Sequence, residues 1–363
     1  MTSFYRTSRR AVAWASFLCV LTPLASLSAV QDDKKEDEAK KLPTIAKKTD
    51  GLEKREGLLT TYVDAERGKV WLEVAAAAES GGESGRFLYT DALLTGLGSN
   101  PVGLDRGQLG RTHVVALRRV GDRVLVEAIN FRYRALSENA DEQRAVRQSF
   151  ARSIIWAGKI AAKAPDGRVL VDFTPFIVRD AHRVSQTLKS SGQGSFKLEK
   201  DRSVLDAENC LSFPDNIEFE ALLTFSSSEP GRYVRETTPD PNSVTLVQHH
   251  SFVRLPDDGY KPRRFDPRIG MFGLTFTDYA APLDGPMQVR WIARHRLEKT
   301  DPSAERSPVK EPIVYYVDAG APEPVRSALL DGAGWWAEAF DAAGLVDAFR
   351  VEVMPEGAHP LDV

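Results

Sequence analysis

Turn signals at short intervals, each flanked by apolar and β-branched residues, constrain this 363-residue chain more than any other feature. Gly121-Asp122 separates two such runs, at 114–120 and 124–131. A two-residue loop whose first member tolerates a left-handed backbone folds neighbouring strands into a hairpin. Pro165-Asp166-Gly167 marks a second turn, between 161–163 and 168–173. Strands are also predicted at 58–63 and 70–74 around Glu66-Arg67-Gly68, and at 216–224, 243–253 and 287–295. Loop signals at 226–231, 239–242 and 256–262 lie between them. One helix interrupts the series. Asn139 with Glu142 three residues on has capping-box spacing, and Val146, Phe150, Ile154 and Ala157 continue as an apolar stripe. No internal repeat is visible. Residues 51–299 read as one large β-rich α+β region with room for two subdomains.

The pattern changes near residue 300. Residues 300–311, with Pro302, Pro308 and several charges, form a connector. Pro312-Ile313-Val314-Tyr315-Tyr316-Val317 then has the composition of a buried strand. Gly320, Pro322 and Pro324 end it, and proline costs little in a first helical turn. Val325, Leu329, Ala333, Trp336 and Phe340 recur at spacings of three and four, which predicts one helix with Trp336 in a core. Glu323 suits the positive end of that helix, and Gly344 can close it in a left-handed conformation. Phe349, Val351 and Val353 alternate with Arg350, Glu352 and Met354 as a second strand. Strand, helix, strand predicts a parallel crossover unit. One such unit cannot cover both faces of its own sheet, so apolar surface is expected around 313–316 and 349–353.

Lys and Arg total 48 against 51 Asp and Glu, a formal charge of −3. Arg6, Arg9 and Arg10 precede an apolar run at 11–24, and Ala25, Ser26, Ser28 and Ala29 offer small residues for cleavage. That is a signal peptide cut near Ala29, and the run is short for a bilayer span. Its removal takes three arginines and no acid, leaving −6. The expected location is secreted or periplasmic. A mildly acidic chain without a basic block argues against nucleic acid, and against a membrane after cleavage, as partners. Residues 30–50, rich in both charges, read as a disordered, solvated linker. Cys210 is the only cysteine left after cleavage, so an intramolecular disulfide is impossible, and it reads as packed.

Residues with chemical potential fall short of a site. The histidines are His113, His182, His249, His250, His295 and His359, and none begins His-Glu-x-x-His. His249 and His250 are adjacent on a predicted strand, where successive side chains take opposite faces and cannot readily share one ion. The glycines at 96, 98, 103, 107 and 110 match neither the dinucleotide nor the P-loop spacing, and predict a loop needing positive φ. Asp105 and Arg106 suggest a local ion pair within it, and Asp266 with Arg268 a buried one near a boundary. Gly194-Ser195 lacks the Gly-x-Ser-x-Gly frame. Asp201 with Asp206, and Asp257 with Asp258, read as solvated acids.

Several stretches, in order along the chain, resemble a single family. They are GLGSNPVGLDRGQLG (96–110), Ser149-Phe150-Ala151-Arg152-Ser153, Gln248-His249-His250-Ser251-Phe252, FDPRIGMFG (265–273), RHRLEKTDP (294–302), Glu311 to Asp318, and GAGWWAEAFDAAGL (332–345). Together they are similar to the bacterial secreted zinc-dependent metalloproteases of the EcxA-like type, in which a metzincin-like catalytic domain follows domains of unknown function. The resemblance implies a pro-domain-like accessory region over 51–299, then the truncated strand-helix-strand start of an α/β catalytic domain over 312–363. In that family zinc sits on a later H-E-x-x-H-x-x-G helix, whose glutamate is general base for the bound water. This sequence stops before such a helix. The expectation is therefore no catalytic, cofactor-binding or metal-ligating residue in this chain, with zinc and peptide-bond hydrolysis belonging to a full-length relative. The implied partners are a protein or peptide substrate, or a protease domain. A second expectation, of another class, is a free-standing secreted binding or inhibitory module acting on a protease domain in trans.

Overall fold

The computed structural model describes residues 42–77 and 82–355. The expected signal segment and most of the expected linker lie outside the described residues. Ten strands carry the main sheet: β1 (Thr61–Asp64), β2 (Lys69–Val74), β3 (Glu83–Leu93), β4 (His113–Val120), β5 (Arg123–Ala128), β6 (Ser153–Lys163), β7 (Val169–Asp172), β8 (Val204–Ser212), β9 (Asn216–Ser226) and β10 (Ser243–Arg254). Three strands of two or three residues bring the described total to thirteen, and the order is β1-β2-β7-β6-β5-β4-β3-β10-β9-β8. Neighbours are antiparallel throughout, as hairpin connections require. Val120 pairs with Arg123 around Gly121 at φ 58°, so the first predicted hairpin forms as expected.

The sheet curls until its ends nearly meet. Arg55, on the short strand Glu53–Arg55 beside β1, donates from Nη1 to the carbonyls of Ala207, at 3.0 Å, and Cys210. Leu58 N–H donates to the Phe213 carbonyl at 2.6 Å, and Ser212 Oγ donates to that of Leu59 at 2.8 Å. A Cβ on Gly57 would lie 2.5 Å from the Phe213 oxygen, so this seam needs glycine. Alternation then sorts side chains to two faces. Val70, Leu72 and Val74 join the interior, whereas Trp71 packs outside with Ala162 and Leu170.

Two short helices follow β7 into the barrel: α3 (Thr174–Ile177) and α4 (Val184–Ser190), after α1 (Ile45–Lys48) and α2 (Ala140–Ser149) earlier in the chain. Phe176 of α3 is fully buried and stacks on Phe173 at 4.6 Å between ring centroids, with Tyr89 and Phe252 at 5.3 and 5.5 Å. Val184 and Leu188 seal the same core.

Two sequence expectations are corrected here. Residues 42–50 are not linker: Ile45 of α1 is buried against Trp71, Ala162 and Leu170, because one apolar residue among charges suffices once a sheet face is available. The predicted stripe at 146–157 belongs to two elements. Helix α2 stops at Ser149, and residues 153–163 are β6, paired with β5 and β7, which leaves Ile154 46% exposed. Ladder pairing outweighed a helical periodicity of four residues. The cap is half formed: Asn139 Oδ1 accepts from Asp141 N–H, while Asn139 N–H donates to Ser137.

After α5 (Arg232–Thr237) and β10, β11 (Gly273–Asp278) and β12 (Gln288–Ile292) form a small sheet with Tyr133–Arg134. The chain then builds β13 (Ile313–Val317), α6 (Val325–Gly334), α7 (Trp336–Ala342) and β14 (Phe349–Val353). β13 and β14 are parallel, with Ile313 opposite Phe349, as the crossover reading predicts. Gly344 follows α7 at φ 79°. The expected single helix is two, meeting at Trp335. Trp336 is 62% exposed, so the expected core position is corrected. Its stripe partners Leu329, Ala333 and Phe340 line, with Tyr315 and Phe349, an open cleft of about 690 Å³. The expected connector is stitched in, Ser307–Pro308 running parallel to Leu345–Val346. The fold as a whole is mainly β with helices added, a broad match to α+β.

These burials predict unequal responses to truncation. Phe176→Ala should destabilise the chain by about 3–5 kcal/mol, and Trp336→Ala by about 1 kcal/mol or less, read from urea unfolding midpoints.

Candidate functional site

Strand β10 carries the clearest concentration of polar chemistry. Its residues alternate between the barrel interior and the outer face. Gln248 and His250, both fully buried, point inward, and His249 lies on the opposite face, as the strand reading of this pair required.

Inside, a connected set of polar groups runs under α3 and α4. His250 Nε2 lies 3.0 Å from the Ile177 carbonyl and Nδ1 lies 2.9 Å from the Tyr89 hydroxyl. The same Nε2 lies 2.8 Å from Gln248 Nε2, so both ring nitrogens are engaged. Tyr89 accepts in turn from Arg179 Nη2 at 2.9 Å. Burial, reinforced by the Arg179 charge, holds His250 well below its ordinary pKa, so it is neutral. Gln248 Oε1 accepts from the N–H groups of Ala181 and His182, at 3.0 and 2.9 Å, and Nε2 donates to the Arg179 carbonyl at 2.9 Å. One buried amide thus fixes the turn between α3 and α4.

That turn delivers His182 to β3. His182 Nδ1 lies 2.8 Å from Asp91 Oδ2, and both side chains are over nine-tenths buried. A Cβ on Gly110 would meet Asp91 Oδ2 at 2.2 Å, so the carboxylate occupies the space a larger residue would take. His182 and Asp91 border a polar cavity of about 630 Å³ that His113 also lines. Sequence reasoning had His182 as a single histidine and did not find Asp91. The partners are 91 positions apart, so no local spacing signals the pair.

On the outer face His249 Nε2 lies 2.7 Å from Glu218 Oε2, and Nδ1 lies 3.5 Å from Glu220 Oε1. Glu218 also accepts from Ser251 Oγ at 2.9 Å and Asn216 Nδ2 at 2.7 Å. Burial disfavours the charged ring, but the two carboxylates outweigh it and raise His249 to about 9.

The remaining candidates are dispersed over the fold. Gly98, Gly103 and Gly107 have φ between 74° and 79°, as the loop reading predicts. Arg106 does not pair with Asp105, however; it forms an ion pair with Asp318 in the crossover unit, which a long side chain reaches and the local turn does not. Asp266 and Arg268 do pair, at 2.6 Å, but on the surface rather than buried. Asp257 pairs with Arg296, and Asp206 accepts from the N–H of Glu208 within β8. Cys210 is packed, burial pushing its thiol up to about 12, and Sγ donates to the Asp206 carbonyl. His295 lines the crossover cleft, and His359 is outside the described residues. Among the described residues no three His, Cys, Asp or Glu side chains are grouped to hold a metal ion.

The raised pKa sets a pH dependence. Because His249 binds its proton more tightly folded than unfolded, its contribution to stability is complete below about pH 6.5 and fades as pH rises through about 9. Urea midpoints across that window should fall for the wild type, and His249→Gln should remove that part of the slope.

No curated protein and no solved structure matches the chain. A family model described as a domain of unknown function, DUF5117, matches residues 107–300, which run from the loop before β4 to the end of the small sheet's connection. With more than half of its 363 residues matched, the chain belongs to the DUF5117 family.

Proposed function

We propose that this chain supplies the accessory region and the opening crossover unit of a secreted zinc-dependent peptidase. The barrel and the small sheet are the accessory part, and peptide-bond hydrolysis belongs to the domain that the crossover unit begins. The observation that carries this reading is the bare parallel pair. Parallel strands occur almost only with both faces covered. Here β13 and β14 pair only with each other among the described residues, and Tyr315, Leu329 and Trp336 are exposed around the apolar cleft. The likeness of residues 311–318 and 332–345 to the start of a metzincin-like domain supports the identity of that domain. The described residues do not fit zinc, since they group no three donors, and the sequence contains no H-E-x-x-H. The reading accordingly places catalysis in the domain that the crossover unit begins.

The same cleft is open to a protease domain supplied in trans, and one pair of measurements separates the readings. Genomic codons following that of Val363 are expected to encode H-E-x-x-H, in frame or after a frameshift. The purified chain is expected to hydrolyse no casein when zinc is added. Chelator-sensitive turnover by this chain, with one zinc tightly bound, overturns the proposal. A downstream sequence lacking the motif in every frame assigns the cleft to a partner in trans.

A further inference from the structure

The cavity at the barrel mouth is separate from the crossover cleft and is not used by the reading above. Its volume of about 630 Å³ lies in the range that encloses a small molecule. Its walls come from the ends of β3 and β5, the starts of β4 and β6, and the segment entering α4.

Asp91 holds His182 by Nδ1, and Nε2 has no hydrogen-bond partner among the described residues. The ring is therefore fixed in orientation with one nitrogen uncommitted on the cavity wall. Two exposed arginines, Arg111 and Arg183, line the same space, Arg183 also lining a neighbouring cavity, and neither forms an ion pair among the described residues. The one carboxylate on the wall, that of Asp91, is already engaged by His182. The N–H groups that open α4 are engaged too, Asp180 accepting from Val184 and Ser185 at 2.7 and 3.0 Å. The positive charge thus comes from side chains alone.

Arg183 is also strained. It sits at φ 60°, ψ 39°, a left-handed conformation that disfavours side chains larger than glycine, asparagine or aspartate. Glycine would fit the backbone better, yet an arginine stands there and borders the cavity. Leu109, Ile129 and Ile155 add an apolar patch to the lining.

We propose that this cavity binds a small organic oxyanion, a carboxylate or phosphoryl group on a partly apolar body. Arg111 and Arg183 supply the positive charge for the acid group, His182 Nε2 accepts from a hydroxyl or N–H donor of the ligand, and the aliphatic side chains take the body. Guanidinium groups suit planar and tetrahedral oxyanions because their paired N–H donors match two oxygens at once.

Isothermal titration calorimetry of the whole chain with inorganic phosphate and with succinate, at constant ionic strength, tests the site. Saturable binding of at least one probe is expected, and the tighter one identifies the head group as phosphoryl or carboxylate. Arg111→Gln and Arg183→Gly should each weaken binding about tenfold or more, the loss of one charge-assisted hydrogen bond. Because glycine suits the left-handed backbone, Arg183→Gly should hold or raise the thermal midpoint while binding falls. Binding that survives both substitutions, or no saturable binding of either probe, overturns the proposal.

Discussion

A strand edge left in water exposes a row of unpaired N–H and C=O groups, and a sheet this large must dispose of two such edges. Here it does so by bending until they approach one another. Among the described residues no continuous ladder joins the ends. The seam instead rests on the Arg55 guanidinium reaching the carbonyls of β8, the Leu58 amide on Phe213, and the Ser212 hydroxyl on Leu59. Gly57 lets the two backbones come that close. Everything described inside the barrel depends on this seam, because it makes an interior out of one face of a sheet.

An enclosed apolar interior sets strict terms for polar groups. Each must find a partner, and each ionisable group takes the form that its surroundings favour. His249 and His250 show how sharp the division is. They are neighbours in the chain, yet His250 faces a carbonyl, a hydroxyl and a nearby guanidinium and is neutral, while His249 faces two carboxylates and holds its proton. The sheet's alternation alone separates them. The same enclosure makes Gln248 a hinge point for the turn that carries His182 to Asp91.

The crossover unit meets the opposite situation. Its two strands are parallel and cannot curl into closure, and its helices cover only part of the sheet they connect. It is held to the rest of the chain by the Ser307–Pro308 pairing, the Arg106–Asp318 ion pair and the Lys299 bridge to Val309. Apolar surface remains, with Trp335 and Trp336 among the most exposed large side chains described.

Local features of the chain were readable without any structure. Gly121-Asp122 and Pro165-Asp166-Gly167 specify hairpins because turn geometry depends on a few adjacent residues, and the crossover order follows from spacing within fifty residues. The long strand β3 escaped notice, because Gly82 and Gly85 interrupt its pattern near the start. Residues 153–157 read as helix, because a few apolar positions fit both periods until a neighbouring strand selects one. Closure of the barrel, the Asp91–His182 pair and the left-handed Arg183 beside the cavity required the folded chain. Each joins groups far apart in sequence or depends on packing around a single residue, and no periodicity encodes a contact between distant positions.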